Sequence, residues 1–232
     1  MTERSDSSRR LLLVGRGRMG TLVETLAPEY GFVVAGRIDR TNADRAHEWP
    51  AADVAIDFST AAAVPVNFPK LAGHGLDVVI GTTGWGAHEE DVRREATAHG
   101  VGVVAAPNFA LGVNLFGALV ERAAELMSNR SEFGAWIHEL HHSAKRDAPS
   151  GTALALSDAM RRAGYRSAIN VSSTRAGVIP GTHTVGFDAP AETITLTHTA
   201  RDRTGFARGA LEAARWVQGK RGWFTMRDVL GL

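Results

Sequence analysis

Short apolar runs alternate with helical patterns over the first 107 residues of the chain. The runs are rich in Val, Ile or Leu and occupy Leu11–Val14, Phe32–Ala35, Val54–Phe58, Val78–Ile80 and Val101–Ala105. Continuous apolar runs of this length are typical of buried parallel strands. The stretches with helical spacing between them are Met19–Ala27, Ala61–His74 and Glu89–His99. This alternation predicts an α/β fold with βαβ units in a doubly wound, Rossmann-like parallel sheet.

The pattern changes after Pro107. Helical spacing of apolar residues continues in Val113–Met127, about Thr152–Ala163 and Ala207–Gln218. Alternation of apolar and polar residues occurs around Phe133–Ile137 and in Ala168–Ser172, Thr182–Phe187 and Thr193–Thr199. A parallel α/β unit followed by a strand-rich unit predicts two domains, the second a smaller α+β domain, with a boundary near residues 108–115.

Composition and charge exclude several classes of protein. Of the 232 residues, 44% are hydrophobic and 22% are charged, as in ordinary globular proteins. A formal net charge of +1 provides no strong field for nucleic acid or an anionic membrane, and no apolar run approaches the roughly 18 residues of a membrane helix. The absence of cysteine excludes disulfide scaffolds and thiolate metal sites and suits the cytosol. We expect a cytoplasmic protein acting on a small molecule, with a loose polar tail at Met1–Ser8.

A glycine-rich loop, Gly15-Arg16-Gly17-Arg18-Met19-Gly20, follows the first predicted strand and opens the first predicted helix. Glycines at this spacing allow a tight turn and a close backbone approach, and the helix N-terminus offers N–H groups to a pyrophosphate. The spacing by itself is a weak signal, but its position between a strand and a helix is the one that the mechanism requires. The loop therefore predicts a dinucleotide site.

The residues after the second strand bear on which dinucleotide binds. Asp39 lies roughly 20 residues beyond the loop, where a carboxylate can accept hydrogen bonds from the ribose hydroxyls of NAD. Arg40 beside it, together with Arg37 and Arg16, can instead neutralise the 2′-phosphate of NADP. The sequence thus predicts a nicotinamide cofactor and leaves NADH and NADPH both open.

Three segments of small residues follow successive predicted strands. They are Asp57-Phe58-Ser59-Thr60, Gly81-Thr82-Thr83-Gly84 and Ala106-Pro107-Asn108-Phe109. Ligands of open α/β sheets bind outside the carboxyl ends of the strands, where such residues let a flat ring lie against the backbone. The same residues are common in ordinary turns. Their repetition after three strands favours a cofactor wall.

The segment from Glu139 to Thr152 contains most of the candidate chemistry. If the strand through Ile137 continues, its period of two places Glu139, His141, Ser143 and Lys145 on one face and His142 on the other. An imidazole there can supply a proton and an ammonium group can hold an anion. Ser150 is the expected N-cap of the next helix, whose first turn, with Gly151 and Thr152, is suited to a carboxylate.

Two other interpretations of this segment exist. His138 and His142 are spaced as metal ligands on a helix, but the alternation before them indicates a strand, and the H-E-x-x-H motif does not occur there. We therefore expect no metal site. The second interpretation is a solvated polar loop with an incidental pair of histidines.

Residues 141–153, HHSAKRDAPSGTA, resemble the H-H-x-x-K-x-D-A-P-S-G-T-A signature of the dihydrodipicolinate reductase family. The likeness extends from about Leu11 to the C-terminus and includes Gly15–Gly20, Asp57–Thr60, Gly81–Gly84, Ala106–Phe109, Gly181-Thr182-His183-Thr184 and Met226-Arg227-Asp228-Val229-Leu230. It implies a dinucleotide-binding domain at residues 1–112, completed by about 208–232, and a substrate-binding and oligomerisation domain with a mixed sheet at 113–207. It also implies a homotetramer assembled through the sheet of the second domain.

The resemblance implies an oxidoreductase that uses NADH or NADPH to reduce 4-hydroxy-tetrahydrodipicolinate to tetrahydrodipicolinate in lysine and diaminopimelate biosynthesis. It implies His141 as proton donor and Lys145 as a second proton donor and anion-binding group. The implied substrate-binding residues are His142, Lys145, Ser150, Gly151 and Thr152. The implied cofactor-binding residues are Gly15, Arg16, Gly17, Arg18, Met19, Gly20, Asp39, Arg40, Gly81, Thr82, Thr83, Ala106, Pro107, Asn108 and Phe109.

The chain departs from the common family pattern in three places. The glycine loop is one residue shorter, and the segments between Asp39 and Asp57 and between Ala163 and Arg175 are compressed. The compression between Asp39 and Asp57 flanks the adenosine ribose and leaves the cofactor preference open. The third lies in the substrate domain and bears on the subunit contact.

Two alternative functions share some of these features. Another two-domain oxo-acid or semialdehyde dehydrogenase would have the same layout but would lack the segment from His141 to Thr152 in this form. A non-catalytic NAD(P)-binding sensor would bind the cofactor without turning over a substrate, with His141 and Lys145 only shaping a surface.

Overall fold

The computed structural model describes residues 9–232, so the predicted tail Met1–Ser8 lies outside the described part. The strands are β1 Arg9–Val14, β2 Phe32–Ile38, β3 Val54–Asp57, β4 Asp77–Ile80, β5 Gly102–Ala105, β6 Gly134–His141, β7 Ile169–Arg175, β8 Thr182–Ala189, β9 Glu192–Thr199 and β10 Gly222–Phe224. The α-helices are α1 Arg18–Leu26, α2 Val64–Gly73, α3 Glu89–His99, α4 Leu111–Met127, α5 Gly151–Arg162, α6 Thr204–Val217 and α7 Met226–Leu230.

The chain forms two compact units. Within the described residues, one contains residues 9–110 together with Arg203–Leu232, and the other contains Leu111–Asp202. These divisions lie a few residues from the expected bounds of 112 and 207, because α4 begins at Leu111 and α6 already at Thr204. No helix within residues 9–232 is long and apolar enough to span a bilayer.

The first unit is built on a six-stranded sheet in the order β10-β5-β4-β3-β1-β2, with every neighbouring pair parallel. Its central strands are buried, as their continuous apolar runs predict: Leu11–Val14 of β1 are at most 2% exposed. The Rossmann-like prediction is confirmed. The pattern analysis missed β10 and α7, because elements this short do not show a period.

The second unit has a mixed four-stranded sheet in the order β7-β6-β8-β9. The β6–β7 pair is parallel, and the β6–β8 and β8–β9 pairs are antiparallel. Helices α4 and α5 pack on one face through Phe116, Val120, Leu156 and Met160, against Ile137, Val185 and Phe187 of the sheet. This arrangement confirms the expected smaller domain with a mixed sheet.

One element ends earlier than the alternation indicates. Strand β6 stops at His141, so Ser143 and Lys145 do not continue its face, and that expectation is wrong. The chain turns instead: the N–H of Ser143 donates to the Gly177 carbonyl at 3.1 Å and the N–H of Lys145 to the His142 carbonyl at 3.1 Å. A long-range hydrogen bond to Gly177 and a local turn bond to His142 replace regular strand pairing in this segment.

Candidate active site

The three glycines of the loop before α1 have different surroundings. Gly15 has a φ of 101°, and a Cβ there would lie 2.4 Å from the carbonyl oxygen of Phe58. A Cβ on Gly20 would lie 2.4 Å from the carbonyl oxygen of Gly15. By contrast, apart from Gly17 itself and its two chain neighbours, no atom of residues 9–232 lies within 4 Å of a Cβ built on Gly17, the N-cap of α1. The fold therefore requires Gly15 and Gly20, whereas Gly17 leaves room for a ligand.

A cavity of about 330 Å³ lies in front of this loop. It is lined by Gly17, Arg18, Met19, Phe58, Ser59, Thr60, Ala61, Gly81, Thr82, Thr83 and Arg203. The N-cap residue Gly17 has no side chain to cap the first N–H groups of α1, so these groups remain available to an anion. With the guanidinium groups of Arg18 and Arg203 nearby, the cavity is suited to a pyrophosphate.

Arg203 is a lining residue that the sequence analysis missed. It precedes α6, far along the chain from the glycine loop, and no local spacing connects the two. The return of the chain to the first unit brings this arginine to the cavity.

Asp57, at the end of β3, joins two of the segments that follow the strands. Its Oδ1 accepts hydrogen bonds from the N–H of Ser59 at 2.8 Å, from Ser59 Oγ at 2.6 Å and from Thr82 Oγ1 at 2.8 Å. Burial raises the pKa of Asp57, and these hydrogen bonds oppose the rise. The carboxyl group thus holds Ser59 and Thr82 at the cavity wall.

A second cavity, of about 260 Å³, lies at the carboxyl ends of β4 and β5. It is lined by Ile80, Thr82, Thr83, Gly84, Trp85, Gly86, Glu89, Arg93, Ala105, Ala106, Pro107, Trp223 and Thr225. Neither Asn108 nor Phe109 lines it: Asn108 Oδ1 accepts from the N–H of Ala110 at 2.9 Å, and the Phe109 side chain is buried. Ala106 and Pro107 thus line the second cavity together with Thr82 and Thr83.

Asp39 follows β2 and is held by its own neighbours. Its Oδ1 accepts from the N–H of Thr41 at 2.8 Å and from Thr41 Oγ1 at 2.5 Å, and its Oδ2 accepts from Arg16 Nη1 at 3.0 Å. The hydrogen bonds from Thr41, followed by that from Arg16, lower the pKa of Asp39 to about 2. The group is therefore a carboxylate at neutral pH. Arg37 is paired with Glu24, while Arg40 is exposed.

In the second unit, Glu139 and His141 lie side by side near the end of β6. Glu139 is fully buried, and its Oε2 receives a hydrogen bond from Nδ1 of His141. Arg175 binds the same carboxylate through both terminal nitrogens, at 2.9 and 2.6 Å. Burial raises the pKa of Glu139, but the hydrogen bonds, that from Arg175 the largest, outweigh it and bring the pKa to about 2. A buried anion thus lies directly behind the candidate proton donor.

The first turn of α5 begins beside this pair. Ser150 is the N-cap, as predicted, since its Oγ accepts from the N–H of Ala153 at 3.2 Å. Its own N–H donates to Oε1 of Glu139 at 3.1 Å, and its Oγ lies 3.0 Å from Nε2 of His183. Gly151 and Thr152 occupy the first turn, and Gly151 is exposed. This turn offers N–H groups and a partial positive charge to an anion.

Lys145 and His142 lie in the loop after β6. His142 is exposed, and Nζ of Lys145 donates to Asp147 at 2.9 Å. The Lys145 side chain is only 24% exposed, so its ammonium group is partly shielded from water. Arg175 links this loop to Glu139, since its Nη2 also donates to the Asp147 carbonyl at 2.6 Å. The structure thus brings His141, Lys145 and the α5 N-terminus to one network.

Glu139, Arg175 and His183 are members of this network that are not among the site residues predicted from the sequence. The period of two along β6 does place Glu139 beside His141, so that pairing had a sequence signal. Arg175 and His183 come from β7 and β8, and only strand pairing brings them to β6.

Ligand atoms of Glu139, His141 and His183 lie within 4.8 Å of one another, close enough for a metal ion. The Glu139 carboxylate, however, already binds the guanidinium group of Arg175, whose charge repels a cation. Nε2 of His183 is also engaged by Ser150. The donor set therefore fits an ion-paired network and not a metal centre.

Comparison with known families covers nearly the whole described chain. Residues 9–109 match the family described as dihydrodipicolinate reductase, N-terminus, and residues 112–230 match dihydrodipicolinate reductase, C-terminus.

Individual proteins agree with this match. The chain is 34% identical to the 4-hydroxy-tetrahydrodipicolinate reductase of Christiangramia forsetii in an alignment of 231 positions that covers 95% of this chain and 97% of the relative. It is 41% identical to the enzyme of the same name from Acidiphilium cryptum, with coverage of 93% and 94%. Among solved structures, it is similar to dipicolinate-bound dihydrodipicolinate reductase from Paenisporosarcina sp. TG-14, with a TM-score of 0.78, 22% identity and coverage of 94% and 97%. This structural likeness supports the fold.

Proposed function

The chain belongs to the dihydrodipicolinate reductase family, and we propose a mechanism in which its own residues bind, orient and protonate the substrate. Its reaction is the reduction of 4-hydroxy-tetrahydrodipicolinate in lysine and diaminopimelate biosynthesis, with a pyridine nucleotide as the electron donor. The observation that supports the mechanism is the network around His141, which joins an imidazole, a lysine loop and a helix N-terminus.

The first unit fits the nucleotide. A bound reduced nicotinamide dinucleotide supplies the hydride. The pyrophosphate lies in the open space at Gly17. It is bound there by the first N–H groups of α1 and by the side chains of Arg18 and Arg203. Thr82, which is held by Asp57, and its neighbour Thr83 form the wall beside it.

We propose NADH as the preferred form. Asp39 is a carboxylate that can accept both ribose hydroxyls and repels a 2′-phosphate. Two of the arginines that could neutralise such a phosphate, Arg16 and Arg37, are already paired with carboxylates. Of these three arginines, Arg40 is exposed and remains able to bind the 2′-phosphate of NADPH.

The second unit binds and protonates the substrate. One carboxylate of the substrate lies at the N-terminus of α5, where it replaces the Asp147 carboxylate as acceptor of the Gly151 N–H and also accepts from the N–H of Thr152. His142 and Lys145 contribute further hydrogen bonds. Ser150 holds this helix terminus in place, because its Oγ caps α5 and its N–H donates to Glu139. His141 delivers a proton to the substrate, and Lys145 is the second donor. The dipicolinate bound to the Paenisporosarcina enzyme is a cyclic dicarboxylate of the kind that this site fits.

We further propose that the enzyme is a cytoplasmic homotetramer. The face of the second sheet opposite α4 and α5 carries Trp136, His138, Thr184 and Thr197, a surface of one large aromatic and small polar residues. Two copies of such a face can pair through the Trp136 ring and the threonine side chains. Sedimentation velocity of the purified protein tests this, with a monomer as the contrary result.

A coupled assay tests the proposed reaction. The protein is mixed with a dihydrodipicolinate synthase, pyruvate and aspartate semialdehyde, and the oxidation of NADH and of NADPH is followed separately. We expect oxidation that requires both the synthase and its substrates, and faster with NADH. Binding of NADH without consumption would support the sensor alternative. Oxidation driven by aspartate semialdehyde without the synthase would support the semialdehyde dehydrogenase alternative.

A further inference from the structure

Besides the side chain of Ser173, four hydrogen-bond donors of the candidate site surround the carboxylate of Glu139. They are Nδ1 of His141, Nη1 and Nη2 of Arg175, and the N–H of Ser150. An ionised carboxylate can only accept hydrogen bonds. The proton between His141 and Glu139 therefore resides on Nδ1, and Nε2 is the nitrogen that gains and loses a proton.

The side of His141 that bears Nε2 is kept clear by Gly181. A Cβ built on Gly181 would lie 2.9 Å from Nε2, so any side chain there would crowd this nitrogen. The imidazole also packs edge-on against His183, with ring centroids 5.2 Å apart. The ring is thus held at Nδ1 by Glu139 and along its edge by His183, while Nε2 faces a position without a side chain.

A purely structural role of Glu139 and Arg175 would not require a buried ion pair between them. Strands β6 and β7 are already paired along their length, with His141 opposite Arg175, so an ion pair is not needed to join them. Buried ion pairs contribute little net stability because both charges lose their hydration. In addition, Nε of Arg175 is buried without a hydrogen-bond partner among the described residues, a further cost. Costs of this kind are typical of functional sites.

We infer that Glu139 and Arg175 are positioning residues for His141. Glu139 holds the Nδ1–H, so that Nε2 carries the proton given to the substrate, and Arg175 keeps that carboxylate ionised and in place. Arg175 also binds the Asp147 carbonyl, and Ser150 binds Glu139, so the pair sets the positions of the lysine loop and of the α5 N-terminus. This inference deepens the proposed function and rests on it.

The charges around His141 predict in which direction the pH profile of activity should move when one of them is removed. Glu139 on β6 is hydrogen-bonded to the ring and His183 on β8 packs against it. Arg175 on β7 binds the Glu139 carboxylate, and the charges of Lys145 and of His198 on β9 act on His183. The carboxylate stabilises the imidazolium form, and the cations oppose it. Because His141 acts as the acid, the pH dependence of activity should respond to the loss of either neighbouring charge.

The first experiment compares pH profiles of kcat/KM in the coupled assay. We expect Glu139→Gln to lower kcat about 10- to 100-fold, as for other partners that orient a histidine, and to move the alkaline limb to lower pH. Arg175→Met should move the same limb to higher pH, and Arg175→Lys should restore most of the wild-type profile. A packing defect alone would not move the limb in opposite directions. Glu192→Gln, an exposed change on β9, is the matched control.

The second experiment does not depend on turnover. The protein is labelled with ¹⁵N-histidine, and the His141 resonance is assigned by its loss in His141→Gln. We expect the Nδ1–H tautomer in the wild type and its loss in Glu139→Gln. An Nε2–H tautomer in the wild type, or an unchanged one in Glu139→Gln, overturns the inference. A wild type with the expected tautomer but without coupled activity would contradict the proposed function and leave the Glu139–His141 relationship supported.

Discussion

Ser150 and His183 are joined by a hydrogen bond of 3.0 Å between Oγ and Nε2, which ties the first turn of α5 to the centre of the mixed sheet. Both side chains are buried. The same Ser150 hydroxyl caps the helix, so the residue that begins α5 is also fixed against β8. The helix terminus proposed to receive the substrate is therefore anchored to the sheet that carries His141.

The stability of the protein should fall in mild acid because of His183. Burial, followed by repulsion from His141, lowers the pKa of His183 from 6.5 to about 4. Between these values the unfolded chain binds a proton that the folded one does not, so the free energy of unfolding decreases as pH falls from 6.5 to 4, by on the order of 3 kcal/mol. Urea unfolding at pH 7.5, 6 and 5 measures this. His183→Gln should show a flatter dependence than the exposed control His88→Gln, and equal slopes would contradict the assignment.

Removal of the proton donor should abolish most turnover. Replacing His141 by Gln keeps a polar side chain of similar reach but no group that titrates near neutrality. We expect kcat to fall about 10²- to 10⁴-fold, the usual contribution of a general acid. The coupled assay measures the effect, with His47→Gln on the exposed surface as control. An unchanged kcat would remove His141 from this role.

Lys145→Ala should impair turnover and substrate binding together. The ammonium group is expected both to bind a substrate carboxylate and to donate a proton. A charge-assisted hydrogen bond contributes about 1.5–3 kcal/mol, so KM should rise roughly 10- to 100-fold, with a parallel fall in kcat. Lys220→Ala, which removes an ammonium group lying over Trp216, is the matched control. A variant in which both constants stay near their wild-type values would disprove the dual role.

Asp39→Asn should shift the cofactor preference toward NADPH. The change removes the negative charge that repels a 2′-phosphate and weakens acceptance of the ribose hydroxyls. We expect the ratio of kcat/KM for NADH to that for NADPH to fall at least about tenfold, equivalent to roughly 1.4 kcal/mol. Asp44→Asn, in the same segment and almost fully exposed, should leave the ratio unchanged. The same ratio in Asp39→Asn as in the wild type would show that another residue sets the preference.

Two glycine substitutions in the loop should have opposite consequences. Gly17→Ala adds a methyl group where the protein leaves space, so the fold should persist while NADH binding weakens. Gly20→Ala places a methyl group 2.4 Å from a backbone oxygen, so the protein should be destabilised, by about 1–3 kcal/mol. Thermal unfolding and NADH fluorescence titration measure the two effects. Normal NADH affinity in a folded Gly17→Ala protein would exclude this loop as the pyrophosphate site.

The sequence by itself determined the elements whose signals are local. Buried strands such as Leu11–Val14 are visible because a parallel strand covered on both faces is apolar at every position. The glycine loop and the Ser150 N-cap are visible because a turn or a helix start requires particular residues at adjacent positions. The resemblance of residues 141–153 identified the family for the same reason, since its motif is contiguous.

Only the tertiary structure decided which distant residues complete the site. Arg203 reaches the nucleotide cavity because the chain returns to the first unit after the second, and Arg175 and His183 reach Glu139 because β7 and β8 pair on either side of β6. The end of β6 at His141 was likewise decided by hydrogen bonds to Gly177, a residue far along the chain. Contacts of this kind depend on which strands become neighbours. Local spacing does not encode that choice; the burial of the whole core decides it.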